Sequence, residues 1–427
     1  MRFTGSRTGA EVHRASSLVG KGRWKVLLAT AMIPASILVW SGASSATSTH
    51  AGATHAAVSA HASQYEPLSW FKTQLAADYN IATAGEPPTS APAHKKGEKV
   101  WVISCGQAST GCALPTANAI TAGKLLGWQM TTCDGNFGIA NGYNVCIEKA
   151  IAAGANAVAV VSTDCNQAYS GMLQLKADHI PLVGSEGFDC SNPLGYISKK
   201  SVFTGNIKYT KEYPTALALN EEAGRQAADY LVVHDNGNVN VINSDFSVVA
   251  GEYADLGFVQ ELGKCQTCHI LDTIKYTPPD TPAGGTYQTE FAAALAAYPT
   301  ANAAYNWPDA IVDEDGQISA VDSVGKGSTF CIVTSQDSAG PTNDQAIANG
   351  NAQCADGAVD VVWNGYALID EVIRALDKQP SAYEGAGPLL ISKGHNLGAL
   401  GVNWAYPNAG KDDSKVVADY KKIWGIS

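Results

Sequence analysis

The sequence predicts an α/β protein built as two doubly wound, parallel-sheet lobes. Three observations carry this. From residue 98 onward, short β-branched strands alternate with helices of roughly 10–15 residues, the pattern of strands that return through a helical crossover to lie parallel. The series starts again near residue 216, so two consecutive units of similar size follow each other rather than one long run. Nearly every apolar strand also ends on polar residues, as in "TTCDGNF", "VVSTDCN", "VGSEGFD", "VINSDFS" and "YNWPD". In open α/β sheets the carboxyl ends of the strands are where ligands bind.

The chain has 427 residues and 45% hydrophobic residues, enough for a large two-lobed body with a substantial core. Its front reads differently from the rest. Lys21, Arg23 and Lys25 precede the apolar run "VLLATAMIPASILVW", and small residues follow in "SGASSATSTHAGA". This is the order of a secretory signal peptide, assigned to residues 1–53, with cleavage after Ala46 or Ala53. The run is short for a membrane span and is interrupted by Pro34, which disfavours an uncleaved anchor. No Cys stands near the cleavage region, so a lipid-anchoring motif is not expected. The formal net charge is −11, and beyond residue 53 there remain 22 basic and 38 acidic residues, a net charge of −16. Such a balance argues against non-specific binding to nucleic acid or to an anionic membrane.

Residues 54–97 form an extension rich in Ala, Thr, Pro and His, with one helix-like piece, "LSWFKTQLAADY", and a linker, "GEPPTSAPAHKKGEK". An arm that spaces the domain or packs on its surface is expected. Then "KVWVISC" reads as a strand, "ALPTANAITAGKLLG" as a helix and "WQMTTCDG" as a strand. In "YNVCIEKAIAAGA", Tyr143, Ile147, Ala150 and Ile151 share one helical face and Gly154 suits the stop. "NAVAVVSTD", "AYSGMLQLKADH" and "IPLVGSEG" continue as strand, helix and strand. The second unit runs from the helix "ALALNEEAGRQAADYLV" through "NVNVINSD", "GEYADLGFVQEL" and "CHILDTIKY" to "TFCIVTSQD" and "AVDVVW".

Signatures of catalysis are missing. The sequence has no G-x-G-x-x-G dinucleotide loop, no phosphate-binding P-loop, no G-x-S-x-G elbow and no H-E-x-x-H. "DEDGQI" loosely resembles a calcium loop, but Ile311 would occupy the first ligand position and cannot ligate. Asp164 with Glu186 could imitate a glycosidase pair only if their separation suited it. What the strand ends do offer is a mixture of carboxylates, amides and aromatic rings. Rings supply flat apolar faces, and amides and carboxylates fix orientation, the usual means of gripping a small polar molecule. Many of the same residues would also serve as helix caps.

With this series in view, residues ~98–427 resemble the type I periplasmic sugar-binding proteins, the ribose-binding-protein-like components of ABC transporters. The resemblance is carried by "KVWVISCGQASTGC", "TANAITAGKLLGWQMTTCDGN", "AIAAGANAVAVVSTD", "IPLVGSEGFD", "NEEAGRQAADYL" and "GYALIDEVIRALDKQ", in that order. The opening "ISCG…GC" resembles an actinobacterial-type branch. LacI-type repressors share the fold, but a DNA-reading helix-turn-helix opens them where this chain has its signal peptide. The resemblance implies two lobes joined by three crossovers, placed near 203–207, 361–365 and 394–400. Lobe one would be 98–204 plus 364–395, and lobe two 205–363 plus 396–427. It further implies a monomer without a cofactor or metal. Such a protein would close by hinge motion on its ligand, dock on a membrane permease and perform no chemistry.

The resemblance also implies a set of pocket residues. From lobe one these are Gln107, Ser109, Asn136, Phe137, Asp164, Ser185 and Glu186. From lobe two they are Asp245, Phe246, Glu252, Asn306, Trp307, Gln336 and Asp337, with Trp363 and Asn364 at the hinge. The chain departs from the pentose-binding pattern at two of them. Ser185-Glu186 stands where that pattern has Asp-Arg, and Glu252 where it has Arg. Two acids in place of two bases point to a polar or partly cationic ligand, with sugars the largest class. A receptor subunit serving a sensor kinase or chemoreceptor is the alternative built on the same lobes.

A third reading starts from "KCQTCHILD", whose Cys265-Gln-Thr-Cys268-His269 fits the spacing for covalent haem. Haem usually needs a second axial ligand, and beyond the signal only Met130 and Met172 offer thioethers. Zinc needs four ligands, and no second CxxC or His pair stands nearby. A redox dithiol would open a helix, whereas this one precedes a strand. All ten cysteines follow the signal, an even number in an exported chain, which implies disulfides. Cys165 with Cys190, Cys331 with Cys354 and Cys265 with Cys268 are expected pairs. Cys105 or Cys133 would pair with Cys112 or Cys146.

Overall fold

The computed structural model describes residues 65–80, 85–281, 284–308, 312, 316–336, 341–397 and 413–426. The signal segment and Asp337 lie outside them, as does the side chain of Gln336. Within the described residues the chain forms two α/β lobes, each organised by its own sheet.

The first sheet has the order β2-β1-β3-β4-β5 and is parallel throughout, with β1 at Lys99–Ser104, β2 at Gln129–Asp134, β3 at Ala157–Val161, β4 at Leu182–Ser185 and β5 at Gly205–Asn206. β3 is the unbroken apolar run AVAVV, buried at every position, because helices cover both of its faces. Alternation divides it. Val158 and Val160 enter one core with Tyr143, Ile147, Met172 and Leu175. These belong to α3 (Gly142–Ala152) and α4 (Cys165–Ala177). Ala157, Ala159 and Val161 enter the opposite core. There α2 (Thr110–Leu125) packs against α10 (Val361–Leu376), whose first turn is capped by Asp360 Oδ1 accepting from Val362 N and Trp363 N at 2.9 Å.

The second sheet has the order β11-β10-β9-β8-β6-β7. Its strands are β6 (Asn240–Phe246), β7 (His269–Tyr276), β8 (Ala303–Pro308), β9 (Cys331–Gln336), β10 (Gln353–Ala358) and β11 (Leu389–Ser392). All neighbours are parallel except β11, which runs antiparallel to β10 at the edge. On one face lie α5 (Ala216–His234) and α6 (Val249–Leu262), pressed together at two glycines. A Cβ on Gly224 or on Gly257 would meet a backbone carbonyl of the other helix at 1.9 Å. The other face is covered by α7 (Thr286–Ala297), through Tyr287 and Phe291, and by α8 (Gln317–Ser323). Outside this series, α9 (Pro341–Asn349) leads into β10.

Three placements correct the lobe boundaries expected from sequence. Gly205–Asn206 pairs with β4, so the first crossing follows residue 206 rather than preceding it. β11 belongs to the second sheet, so 389–392 cannot be counted with lobe one, and the third crossing comes before Leu389 instead of at 394–400. The last helix, α11 (Ser414–Ile423), packs back on α10 of lobe one. Tyr420 donates to Glu384 Oε2 at 2.7 Å and Trp424 to Asp370 Oδ1 at 2.8 Å, two buried bonds that draw the C-terminus away from the second sheet.

The N-terminal arm is part of the domain. α1 (Leu68–Asp78) lies on α5 with Phe71 buried beside Ala227, Leu231 and Phe258. Arg225 pairs with Asp78, Glu222 and Asp229. Farther on, Ser90 O accepts from Arg374 at 2.8 Å and Lys95 O from the Trp128 indole at 2.8 Å. The arm is thus bonded first to lobe two and then to lobe one.

The ten cysteines form five disulfides: Cys105–Cys112, Cys133–Cys146, Cys165–Cys190, Cys265–Cys268 and Cys331–Cys354. The three expected pairs are present and the two open choices resolve to the nearer partner in each case. Cys265 and Cys268 close the loop between α6 and β7, so both sulfurs of the haem-like motif are bonded to each other.

Candidate functional site

The first-lobe candidates form two groups. Asp134 at the end of β2 gathers the first: its Oδ1 accepts from Gln107 N at 3.0 Å and from Asn136 N at 2.8 Å. Phe137 follows with a left-handed backbone (φ 54°), and its ring lies over Gly106, where a Cβ would approach it to 2.5 Å. Phe137 N is anchored on Cys105 O at 2.7 Å. Ser109 sits half-buried at the start of α2. Gln107, Ser109, Asn136 and Phe137 therefore share one rim, organised by an Asp that the strand-end reading passed over.

The second group surrounds Glu186, which also adopts a left-handed backbone (φ 57°) just past β4. Its carboxylate accepts from Ser162 Oγ at 3.3 Å and from Asn364 Nδ2 at 3.1 Å. Asn364 belongs to the first turn of α10, so two predicted residues from distant parts of the chain meet here. Ser185, just before, is buried and uses its carbonyl to accept from Ser162 N at 2.8 Å. Trp363 is fully buried, with its indole N–H on Glu384 O at 2.6 Å, and serves the core rather than an open surface. A cavity of about 380 Å³ opens beside Glu186, lined by Gly187, Phe188, Asn206, Lys208 and the start of α5 at Thr215–Leu217. Of the residues expected from sequence, Glu186 alone lines it.

Lobe two supplies aromatic and acidic groups. Phe246 stacks on Tyr276 at 4.6 Å and on Trp307 at 5.8 Å. The Trp307 indole N–H donates to Asn220 Oδ1 at 2.7 Å, which fixes the ring. Asn306 is fully buried: it accepts from Tyr276 OH at 2.5 Å and donates to Tyr287 OH at 3.2 Å. Its amide thus supports the rings instead of facing a ligand. Asp245 forms an ion pair with Lys275 at 2.7 Å. Burial and the negative charge of Asp245 raise the Glu252 carboxyl above its ordinary range, with Lys275 opposing. Burial pushes Asp255 up to about 6, against a 2.6 Å bond from Asn243. One lysine thus stands among three acids.

Asp164 has a different environment. Its Oδ1 accepts from Phe188 N at 3.0 Å and its Oδ2 from Val249 N at 3.1 Å, and the group is buried. Burial pushes its carboxyl up to about 7, with the two backbone donors opposing the rise and the charge of Glu252 adding to it. The donors at Phe188 and Val249 had no signal in the sequence, because each is a backbone group brought near only by folding.

Arginine is scarce. Beyond residue 53 the sequence has only Arg225 and Arg374. Arg225 is held by three acids beside α1, and Arg374 by Asp370 at 2.7 Å and Ser90 O. Neither is free to meet a ligand at the strand ends.

No protein-family profile matches the chain, and no curated protein is significantly similar to it in sequence. Solved structures do resemble it. A 5-methylthioribose transporter solute-binding protein from Thermotoga lettingae is 15% identical, with a TM-score of 0.58 over 76% of this chain and 98% of that one. GanP, a glucose-galactose binding protein from Geobacillus stearothermophilus, is 13% identical, with a TM-score of 0.57 over 70% and 98%. The binding component of the arabinose ABC transporter from Shewanella sp. ANA-3 is 16% identical, with a TM-score of 0.56 over 76% and 95%. The chain therefore has the two-lobed fold of type I periplasmic sugar-binding proteins.

Proposed function

We propose that this protein is an exported solute-binding protein, a monomer that captures a small polar ligand between its lobes and delivers it to an ABC transporter permease without chemical change. The observation that carries this reading is the pairing of the two-lobed fold with polar strand ends on both lobes, Glu186 and Asn364 on one side and Asp245 and Glu252 on the other. Five disulfides suit an oxidising, extracytoplasmic compartment, in keeping with the signal-like N-terminus.

Charge narrows the ligand. Both arginines are engaged elsewhere, and the strand ends of lobe two carry more acid than base. A carboxylate or phosphate ligand would find no bidentate partner there. Neutral hydroxyl-rich molecules and those bearing an amine are favoured, with sugars and related compounds the leading class. Native mass spectrometry of the purified protein, followed by a thermal-shift panel of sugars, polyols and amines, tests this. A sugar or amino compound should raise the melting temperature. A response to anionic ligands alone would overturn the charge argument.

A further inference from the structure

α6 begins without a cap of its own. Its N-cap residue is Val248, whose side chain carries no acceptor, and valine is among the poorest residues there. The first helical N–H, on Val249, is nevertheless bonded. Its partner is Asp164 Oδ2 at 3.1 Å, from the other lobe and 85 residues earlier in the chain. Asp164 itself precedes α4 and is steadied by its own N–H donating to Gln167 Oε1 at 2.9 Å. Its second oxygen accepts from Phe188 N, and Phe188 stacks on Tyr253 of α6 with ring centroids 6.0 Å apart. The Cys165–Cys190 disulfide ties the residue after Asp164 to the loop that carries Phe188. Along that loop, a Cβ on Gly195 would come within 2.8 Å of Val249 Cγ2.

We propose that Asp164 is the interlobe latch: it caps α6 from across the cleft and thereby holds the two lobes together. The helix is complete at its N-terminus only when the lobes meet, so closure and capping are one event. A carboxyl oxygen placed at a helix N-terminus satisfies an N–H that the helix itself cannot, whether or not the group carries its charge. In the opened protein that donor would return to water. Asp164 is then a positioning residue, acting on any ligand through the lobes rather than by touching it. This inference rests on the reading of the protein as a binder that opens and closes.

The test separates the two roles of Asp164 by acting on each side of the bond. Asp164→Ala removes the acceptor. Val249→Pro removes the donor at the N1 position, where proline is well tolerated, keeps an apolar side chain there, and leaves Asp164 and α4 untouched. Hydrogen exchange and small-angle scattering are measured on both variants, on the double variant and on the wild type, without added ligand. Exchange at residues 186–190 and 250–254 should quicken about tenfold in each single variant, the effect of losing one buried hydrogen bond. The radius of gyration should rise, and the double variant should be no more open than either single one. If Asp164→Ala quickens exchange while Val249→Pro matches the wild type, Asp164 is a local cap and the latch is overturned. Wild-type behaviour in both variants overturns it equally. Because no ligand is used, the latch can stand even if no solute ever binds, which would instead refute the transport reading.

Discussion

Asn364 Nδ2 lies 3.1 Å from Glu186 Oε1, joining the first turn of α10 to the end of β4 across 178 residues of sequence. Glu186 also accepts from Ser162, so one carboxylate organises donors from two other segments. Replacing Glu186 with Ala should leave Ser162 and Asn364 with an unmatched donor each and cost about 1–3 kcal/mol of stability, as for other buried polar groups stripped of a partner. Urea denaturation measures this. If Glu186 also reaches the ligand, the thermal shift given by a bound solute should disappear in this variant.

Arg225 is the cation of an otherwise acidic cluster. Removing it by Arg225→Ala would leave Asp78 and Asp229 buried without a counter-charge, and breaking a buried pair in this way costs about 3–5 kcal/mol. The acids can escape by taking up protons: burial already raises Asp78 to about 6 and Asp229 to about 9. The deficit should therefore be larger at pH 8 than at pH 5. Limited proteolysis should cut within α1, residues 68–78, in this variant and spare it in the wild type, because Asp78 helps hold α1 on α5.

The disulfides should differ in weight. Cys265–Cys268 spans three residues and Cys165–Cys190 spans 25. By chain entropy alone, removing the longer link should destabilise the protein by roughly 1.5–2 kcal/mol more than removing the shorter one. Paired Cys→Ser variants compared by thermal unfolding check the order. The Cys265→Ser/Cys268→Ser protein should still bind solute and should show no covalent haem spectrum. Thiol titration of the unreduced wild type should find no free cysteine.

Closure should respond to acid. Buried in the closed form, Asp164 is raised to about 7, while a solvent-exposed carboxyl lies near its ordinary 3.8. The closed state then binds a proton that the open state does not between those values, so lowering the pH from 7 toward 5 favours closure, by at most about tenfold per pH unit. The charge of Glu252 on α6 raises Asp164 further, the Val249 and Phe188 N–H groups lower it, and Asp164 in turn adds to the burial that raises Tyr143 of α3. Scattering profiles across this pH range should show a contraction in the wild type that is lost in Asp164→Ala. An expansion on acidification would contradict the sign.

Much of the architecture could be read without coordinates because its causes are local or periodic. The AVAVV run of β3 is apolar at every position because both faces are covered, and that is visible in sequence. Three disulfides were legible because their cysteines flank adjacent strands and helices. Other features were misplaced where the signal was weak. β11 is only four residues long, and nothing in LLIS says which of two sheet edges it will join. The chain's return to lobe one depends on Tyr420 and Trp424 finding buried carboxylates far away in sequence.

The strand-end residues illustrate the same division. Their polarity marked the region of the site, but not which of them would face outward. Asn306 carries the same amide as Asn364, yet it is committed to a core network, as is the Trp363 indole. Side-chain direction is decided by packing on the far side of the sheet, and residue type is silent on it.

From sequence alone came the α/β alternation, the two-unit organisation, three of the five cysteine pairs and the acidic, arginine-poor character of the chain. Tertiary structure alone decided what the polar residues do. Asp164 could be recognised from sequence as a helix-capping residue. That it caps a helix in the opposite lobe follows from a backbone N–H 85 residues away, and backbone groups are alike at every position until folding chooses their neighbours.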